Sequence, residues 1–213
     1  MRSKYIIYSL ISLLLLSSVA NAQPDTGNML ITAVTKYNDG KYEEASTTLT
    51  NIVEIDPSND AAWYYLAMCS MVARDLEMAE YRFQKAVELD PGNFWYRYRL
   101  ARVYAMTSRA DQTVEMYEKL LQDFPKKSDL YFDLAELYSA QKEYQKALDT
   151  LGEIETVFGM TESVVVYRFN LLMQMQRQEE AYKSLEEYND RYSSPYVLST
   201  LPEHQLNMYN DST

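Results

Sequence analysis

The chain has 213 residues, with 20 Lys and Arg against 31 Asp and Glu, a net charge of −11, one His and one Cys. A lone Cys makes no intramolecular disulfide, and one His with one Cys supplies too few groups for a zinc site or a Cys/His catalytic pair. The acidic balance excludes the basic surface that nucleic acid requires, and five Gly and six Pro exclude a collagen-like or low-complexity sequence.

The first expectation in chain order is a secretory signal over residues 1–22. Arg2 and Lys4 precede an apolar run, Tyr5 to Ala20, that closes on Ala20-Asn21-Ala22 before Gln23. Basic start, short apolar centre and A-x-A end are the parts of a cleavable export signal. The run is shorter than the roughly 20 residues that span a bilayer, which favours a cleaved signal over the alternative, an uncleaved anchor. The expected mature chain starts at Gln23, is exported to the periplasm or envelope, and has no membrane span after cleavage.

A repeat follows. Pro57, Pro91 and Pro125 stand 34 residues apart, as do Ala33, Ala67, Ala101 and Ala135. Ala45, Ala79, Ala147 and Ala181 keep the same step, with Thr113 in the one missing place. The frame is 26–59, 60–93, 94–127, 128–161 and 162–195, a repeat domain over 23–195, with 196–213 as a partial or degenerate sixth unit. In the second unit Trp63, Leu66 and Ala67, then Ala79, Phe83 and Ala86, fall at three- and four-residue spacings. Tyr131, Leu134, Ala135 and Tyr138, then Ala147, Leu151 and Ile154, repeat this in the fourth. Each unit therefore predicts two amphipathic helices, A and B, joined by a short polar turn such as Lys142-Glu143. The alanines remove bulk between A and B so that the backbones approach. One pair cannot bury its own apolar face, so the units must stack into an all-α solenoid of antiparallel pairs.

Asp56-Pro57 and Asp90-Pro91 predict the end of a helix B, because proline disfavours helical geometry in the residue before it. Asn59 or Asp60, Asn93 and Ser128 are the expected caps of the next helix A. Gly159 takes the place of proline at the fourth boundary. After Pro195, Leu198 and Leu201 begin a poor sixth helix A that Pro202 interrupts. With no polar capping helix in view, the expectation is that 213 residues are the N-terminal part of a longer protein, or a truncated product.

The pattern of a large residue, Leu-Ala, Tyr, a second Ala, an aromatic or Leu, then Asp-Pro resembles the tetratricopeptide repeat family over about 26–195. Units one and five depart from it, with Thr32 and Lys36 in the first and Arg168-Phe169 for Leu-Ala in the fifth. The Tyr-rich, exported version looks similar to envelope repeat proteins of the Bacteroidetes. The resemblance implies a right-handed α-α superhelix. Its concave groove would come from the second, fifth, sixth, ninth and twelfth places of each helix A. Those places hold Tyr37; Tyr64, Tyr65, Met68 and Met71; Trp95, Tyr98, Arg99 and Arg102; Phe132, Asp133 and Glu136; and Tyr167 and Asn170. Tyr, Trp, Met and Arg are the types that dominate interface cores, and such a groove suits a peptide with apolar anchors. The alternative for each aromatic is packing between repeats. Arg99 and Arg102 either hold a carboxylate of the partner or, the preferred reading, pair with Asp133 and Glu136. The chaperone-tail clamp of some family members is not expected, because Leu30, Val34 and Tyr65 stand where it needs Lys and Asn, and only Arg99 matches.

Cys69 reads as a small buried hydrophobe and His204 as a loop residue. The acidic pairs Glu43-Glu44 and Glu179-Glu180 suit helix N-termini. No phosphate loop, G-x-S-x-G or H-E-x-x-H occurs. The expectation is a non-catalytic scaffold of the cell envelope, with no cofactor and no metal, that binds a protein or peptide. Its rivals are a recognition or sensor part of a longer enzyme or signalling protein, and a solenoid that self-associates through its uncapped C-terminal unit.

Overall fold

The computed structural model describes residues 25–200, and these are all α-helix and connecting turn. The expected signal segment, His204 and most of the partial sixth unit lie outside the described residues. Five helix pairs run in order: α1 (Thr26–Asn38) with α2 (Tyr42–Ile55), α3 (Asp60–Val72) with α4 (Leu76–Leu89), α5 (Phe94–Met106) with α6 (Ala110–Asp123), α7 (Ser128–Ala140) with α8 (Tyr144–Phe158), and α9 (Glu162–Gln174) with α10 (Gln178–Tyr192). A short α11 (Pro195–Thr200) follows. The described residues divide within α5, between Tyr96 and Arg97, into two compact units.

Each pair is an α-hairpin whose close approach is set by the small residues. Ala33, Ala67, Ala101 and Ala135 of the A helices are fully buried, as are Ala45, Ala79, Ala147 and Ala181 of the B helices. Thr113 is equally buried, and its hydroxyl is satisfied by donating to Arg109 O in its own helix at 3.0 Å. In the fifth pair Phe169 replaces the alanine. Its ring lies 5.7 Å from that of Tyr182 on α10, so the hairpin closes ring on ring.

The turn inside each pair repeats one backbone device. Gly40, Arg74, Ser108, Lys142 and Gln176 all have φ between 59° and 78°, the left-handed region. The next residue in each case donates its N–H five residues back, as Lys41 does to Lys36 O at 2.8 Å and Glu143 to Tyr138 O at 2.9 Å. This is a Schellman closure, which satisfies carbonyls that the helix end would otherwise leave bare. Only the first turn uses glycine for it.

Between pairs, Asp56 and Asp90 end α2 and α4 as expected, and Gly159, with φ 83°, ends α8. Asn59 accepts from Ala62 N–H at 2.9 Å and Asn93 from Trp95 N–H at 3.1 Å, so both act as caps. Ser128 does not. It is the first residue of α7, and Lys127 before it makes no side-chain cap. A further lock sits at the fourth place of helix A. Trp63 Nε1 donates to Pro57 O at 2.9 Å, and the Tyr131 hydroxyl donates to Pro125 O at 3.2 Å. Arg97 occupies that place in α5, paired with Asp123 at 2.5 Å and lying 6.0 Å from the Phe124 ring.

Candidate functional site

In the first unit the expected groove residues of α1 and α3 are neither core nor free surface. Tyr37, Tyr64, Tyr65, Met68 and Met71 are all half-buried. The rings form a connected file: Tyr42 to Tyr37 at 5.2 Å, Tyr37 to Tyr65 at 5.6 Å, Tyr65 to Tyr64 at 5.3 Å, and Tyr64 to Tyr96 at 5.0 Å. Edge-to-face and tilted pairs at these distances are the favoured arrangements of aromatic quadrupoles. Tyr64 also meets the buried Phe83 at 5.8 Å. It is therefore a packing residue, and its exposed edge is all that a partner can touch. Met68 and Met71 follow Tyr64 by four and seven residues, which sets the three on one stripe of α3. Trp95, 51% exposed, stands against Phe94 at 5.1 Å.

In the second unit Tyr98 is the centre. Its hydroxyl donates to Asp133 Oδ2 at 2.6 Å, its ring stacks on that of Tyr117 at 6.2 Å, and Arg102 lies 5.9 Å over its face. The expected pairing of Arg99 and Arg102 with Asp133 and Glu136 is corrected here. Asp133 takes a tyrosine as its partner, and Arg102 sits beside that tyrosine. Arg99 instead buries its Nε with no acceptor. The reason is reach: the phenol extends rigidly from α5 to α7 and delivers its proton directly, whereas the guanidinium covers the ring. A cleft of about 310 Å³ opens at this point, lined by Arg102, Met106, Tyr117, Asp133, Glu136 and Leu137. The sequence reading missed Tyr117 because it belongs to a helix B. Its position four residues after Thr113, in the alanine column, was the available signal that it is buried.

Phe132 and Tyr167 stack at 6.5 Å, and Tyr167 and Asn170 line a second cleft, of about 400 Å³, with Glu162 and Tyr196 of α11. Glu136 is exposed, yet its charge is felt at both Tyr117 and Tyr167.

Two of these phenols titrate high. Burial, then the hydrogen bond to Asp133, raises Tyr98, and burial with the bond to Asp60 raises Tyr96 well above the usual range. Both remain neutral donors at physiological pH. Burial likewise raises Cys69, with Arg82 opposing, which favours the protonated thiol. Among the described residues no cluster of His, Cys, Asp and Glu is arranged to hold a metal, and no helix is long and apolar enough to cross a membrane. The faces offer shape, aromatic edges and a few charges: the chemistry of binding.

Profiles described as tetratricopeptide repeat match residues 32–94, 83–115 and 105–156, an unbroken run from 32 to 156. Anaphase-promoting complex subunit 3 of Schizosaccharomyces pombe is 21% identical over 143 residues, covering 67% of this chain and 22% of that protein. Cellulose synthase operon protein C of Pseudomonas fluorescens is 30% identical over 82 residues, 38% of this chain and 6% of that protein. The chain thus spans less than a quarter of the length of either relative. Among solved structures, YrrB, described as a TPR protein with an unusual peptide-binding site, superposes with a TM-score of 0.66 at 14% identity, covering 93% of this chain and 97% of that one. MamA from Desulfovibrio magneticus superposes with a TM-score of 0.67 at 15% identity, covering 82% and 99%. At these identities the likeness is one of fold.

Proposed function

The chain belongs to the tetratricopeptide repeat family, and we propose that it is a non-catalytic scaffold of the bacterial cell envelope, holding a peptide or protein along its helix-A faces. The fold is one typical of protein–protein interaction. The observation that carries the finer reading is the file of half-buried rings from Tyr37 to Tyr65, with Met68 and Met71 beside it. These side chains are held in place by one another yet keep an open edge, so a partner gains contact area at little ordering cost. YrrB, described as having an unusual peptide-binding site, lends support by analogy of fold. Residues 1–22 carry the envelope part of the proposal, as an export signal.

The test is site-specific photocrosslinking in the source cell, with the crosslinker at Met68 or, as a control, at the exposed Glu88 on helix B. A discrete adduct from Met68 alone, lost on Tyr65→Ala, is the expected result. Equal labelling from both sites overturns the groove assignment. Fractionation of the tagged protein tests the envelope: recovery in the cytoplasm with residues 1–22 retained removes that part.

A second reading makes these repeats the recognition arm of a longer polypeptide. It rests on the two curated relatives, of which this stretch is 22% and 6%. The mass of the native protein decides between the readings.

A further inference from the structure

A cleft of about 490 Å³ opens in the first unit where the N-terminal ends of α2 and α4 meet the C-terminal end of α3. Of its lining residues only Tyr42, the end ring of the aromatic file described above, also touches the helix-A face. Its floor is dry: Cys69 is 5% exposed and Ser70 4%. Over that floor lies the half-buried Arg82, whose Nη1 donates to Ser70 Oγ at 2.5 Å and to Leu66 O at 3.3 Å. Both acceptors are neutral. Among the described residues no carboxylate pairs with this guanidinium, and the rest of its fork is unspent, in a protein with 31 acidic residues. Ser46 and Tyr42 add hydroxyls to the lining, and Val72, 46% exposed, adds an apolar wall at the mouth.

Two carboxylates belong to the same cleft and must be weighed. Asp75 caps α4, accepting from Met78 N–H at 3.1 Å, and Glu43 lies in the first turn of α2; both are exposed at the rim. Exposed charges are screened by water and salt, whereas a guanidinium over a dry floor acts at a lower effective dielectric. The rim therefore costs a single negative charge little, and penalises a multiply charged anion more.

We propose that this cleft binds a singly charged carboxylate on a small apolar stem, with the carboxylate held by Arg82 and the stem against Val72 and Tyr42. The guanidinium fork matches the two oxygens of a carboxylate. A free organic acid and the C-terminus of a peptide share this chemistry. The site shares only Tyr42 with the scaffold face, and its anchor Arg82 lies outside that face, so the Arg82 and Met68 experiments test the two proposals separately.

The experiment is an NMR titration of the whole protein with N-acetyl-leucine, its amide and inorganic phosphate. The acid is expected to shift the amide signals of Ser46, Ser70 and Val72. It should bind at least about tenfold more tightly than the amide or phosphate, the worth of a charge-assisted hydrogen bond. Arg82→Gln keeps an amide donor for Leu66 O and should abolish the preference. Val72→Glu, a surface change at the mouth, should weaken the acid while leaving the dispersion of the spectrum intact. Equal affinity for acid and amide, tighter binding of phosphate, or no shift at the cleft residues overturns the proposal. Competition by acetyl-Ala-Ala-Leu assigns the carboxylate to the C-terminus of a peptide; failure to compete assigns it to a free acid.

Discussion

The hydroxyl of Tyr96 donates to Asp60 Oδ2 at 2.8 Å, so the first turn of one helix A is tied to the first turn of the next, 36 residues away. Tyr96 is 7% exposed and its ring also meets Tyr64, so one side chain joins the two helices by packing and by a charged hydrogen bond. Tyr96→Phe keeps the ring and removes the bond. The expected loss is about 1–2 kcal/mol in urea unfolding, the range for a bond to an ionised acceptor. A midpoint unchanged from the parent would show that the bond adds nothing to stability.

Alkaline pH should act on the same bonds. Burial and a carboxylate partner raise Tyr96 and Tyr98, and burial with Glu118 raises Tyr138, from an ordinary value of 10.0. A group whose folded value is raised contributes stability that is fully present below the unfolded value and is lost as pH climbs through the folded one. The stability these phenols contribute should therefore be constant up to about pH 10 and fall above it. Urea midpoints between pH 8 and 11.5 check this. A Tyr96→Phe, Tyr138→Phe double variant should show a shallower fall above pH 10, and one as steep as the parent's counts against the assignment.

The left-handed turns invite a stabilising change. Arg74, Ser108, Lys142 and Gln176 adopt φ near 60°, which costs an L-residue roughly 1–2 kcal/mol that glycine does not pay. Glycine loses part of this gain through its freer unfolded state. Lys142→Gly should raise the melting temperature by a net stabilisation of up to about 1 kcal/mol. Gly40→Ala, at φ 78° with open space around its Cβ, should lower stability by a comparable amount through strain alone.

The alanine columns forbid growth. Ala67 and Ala79 have no exposed surface, and each stands where two helices of one hairpin approach. Ala67→Leu or Ala79→Leu should cost about 1–3 kcal/mol by overpacking. The same change at Ala140, exposed at the end of α7, should be near neutral in thermal denaturation and serves as the control.

Groove substitutions need more care than the sequence suggests. Tyr64 packs on Phe83 and Tyr96, and Tyr98 bonds Asp133, so truncating either to Ala removes structure along with surface. Met71→Ala tests partner capture more cleanly. The expectation is weakened binding of whatever Met68 crosslinks, at unchanged helicity by circular dichroism.

The sequence by itself determined the helical class, the pairing of helices at 34-residue intervals, the alanine contacts and the cap at Asn93, and it narrowed the preceding cap to Asn59 or Asp60. All of these follow from spacing along one helix or from a side chain reaching its own backbone neighbours, so near residues encode them. It did not reveal the left-handed turns, because Arg74, Ser108, Lys142 and Gln176 share no chemistry; the two helix ends they join impose the conformation. Nor did it place the charges: Asp133 was expected to meet an arginine and takes Tyr98 instead, while Arg82, unremarked in the sequence, roofs a cleft among neutral acceptors. Those outcomes depend on the distance and rotation between packed helices. A small shift there decides whether a phenol or a guanidinium arrives first, and only the tertiary structure sets it.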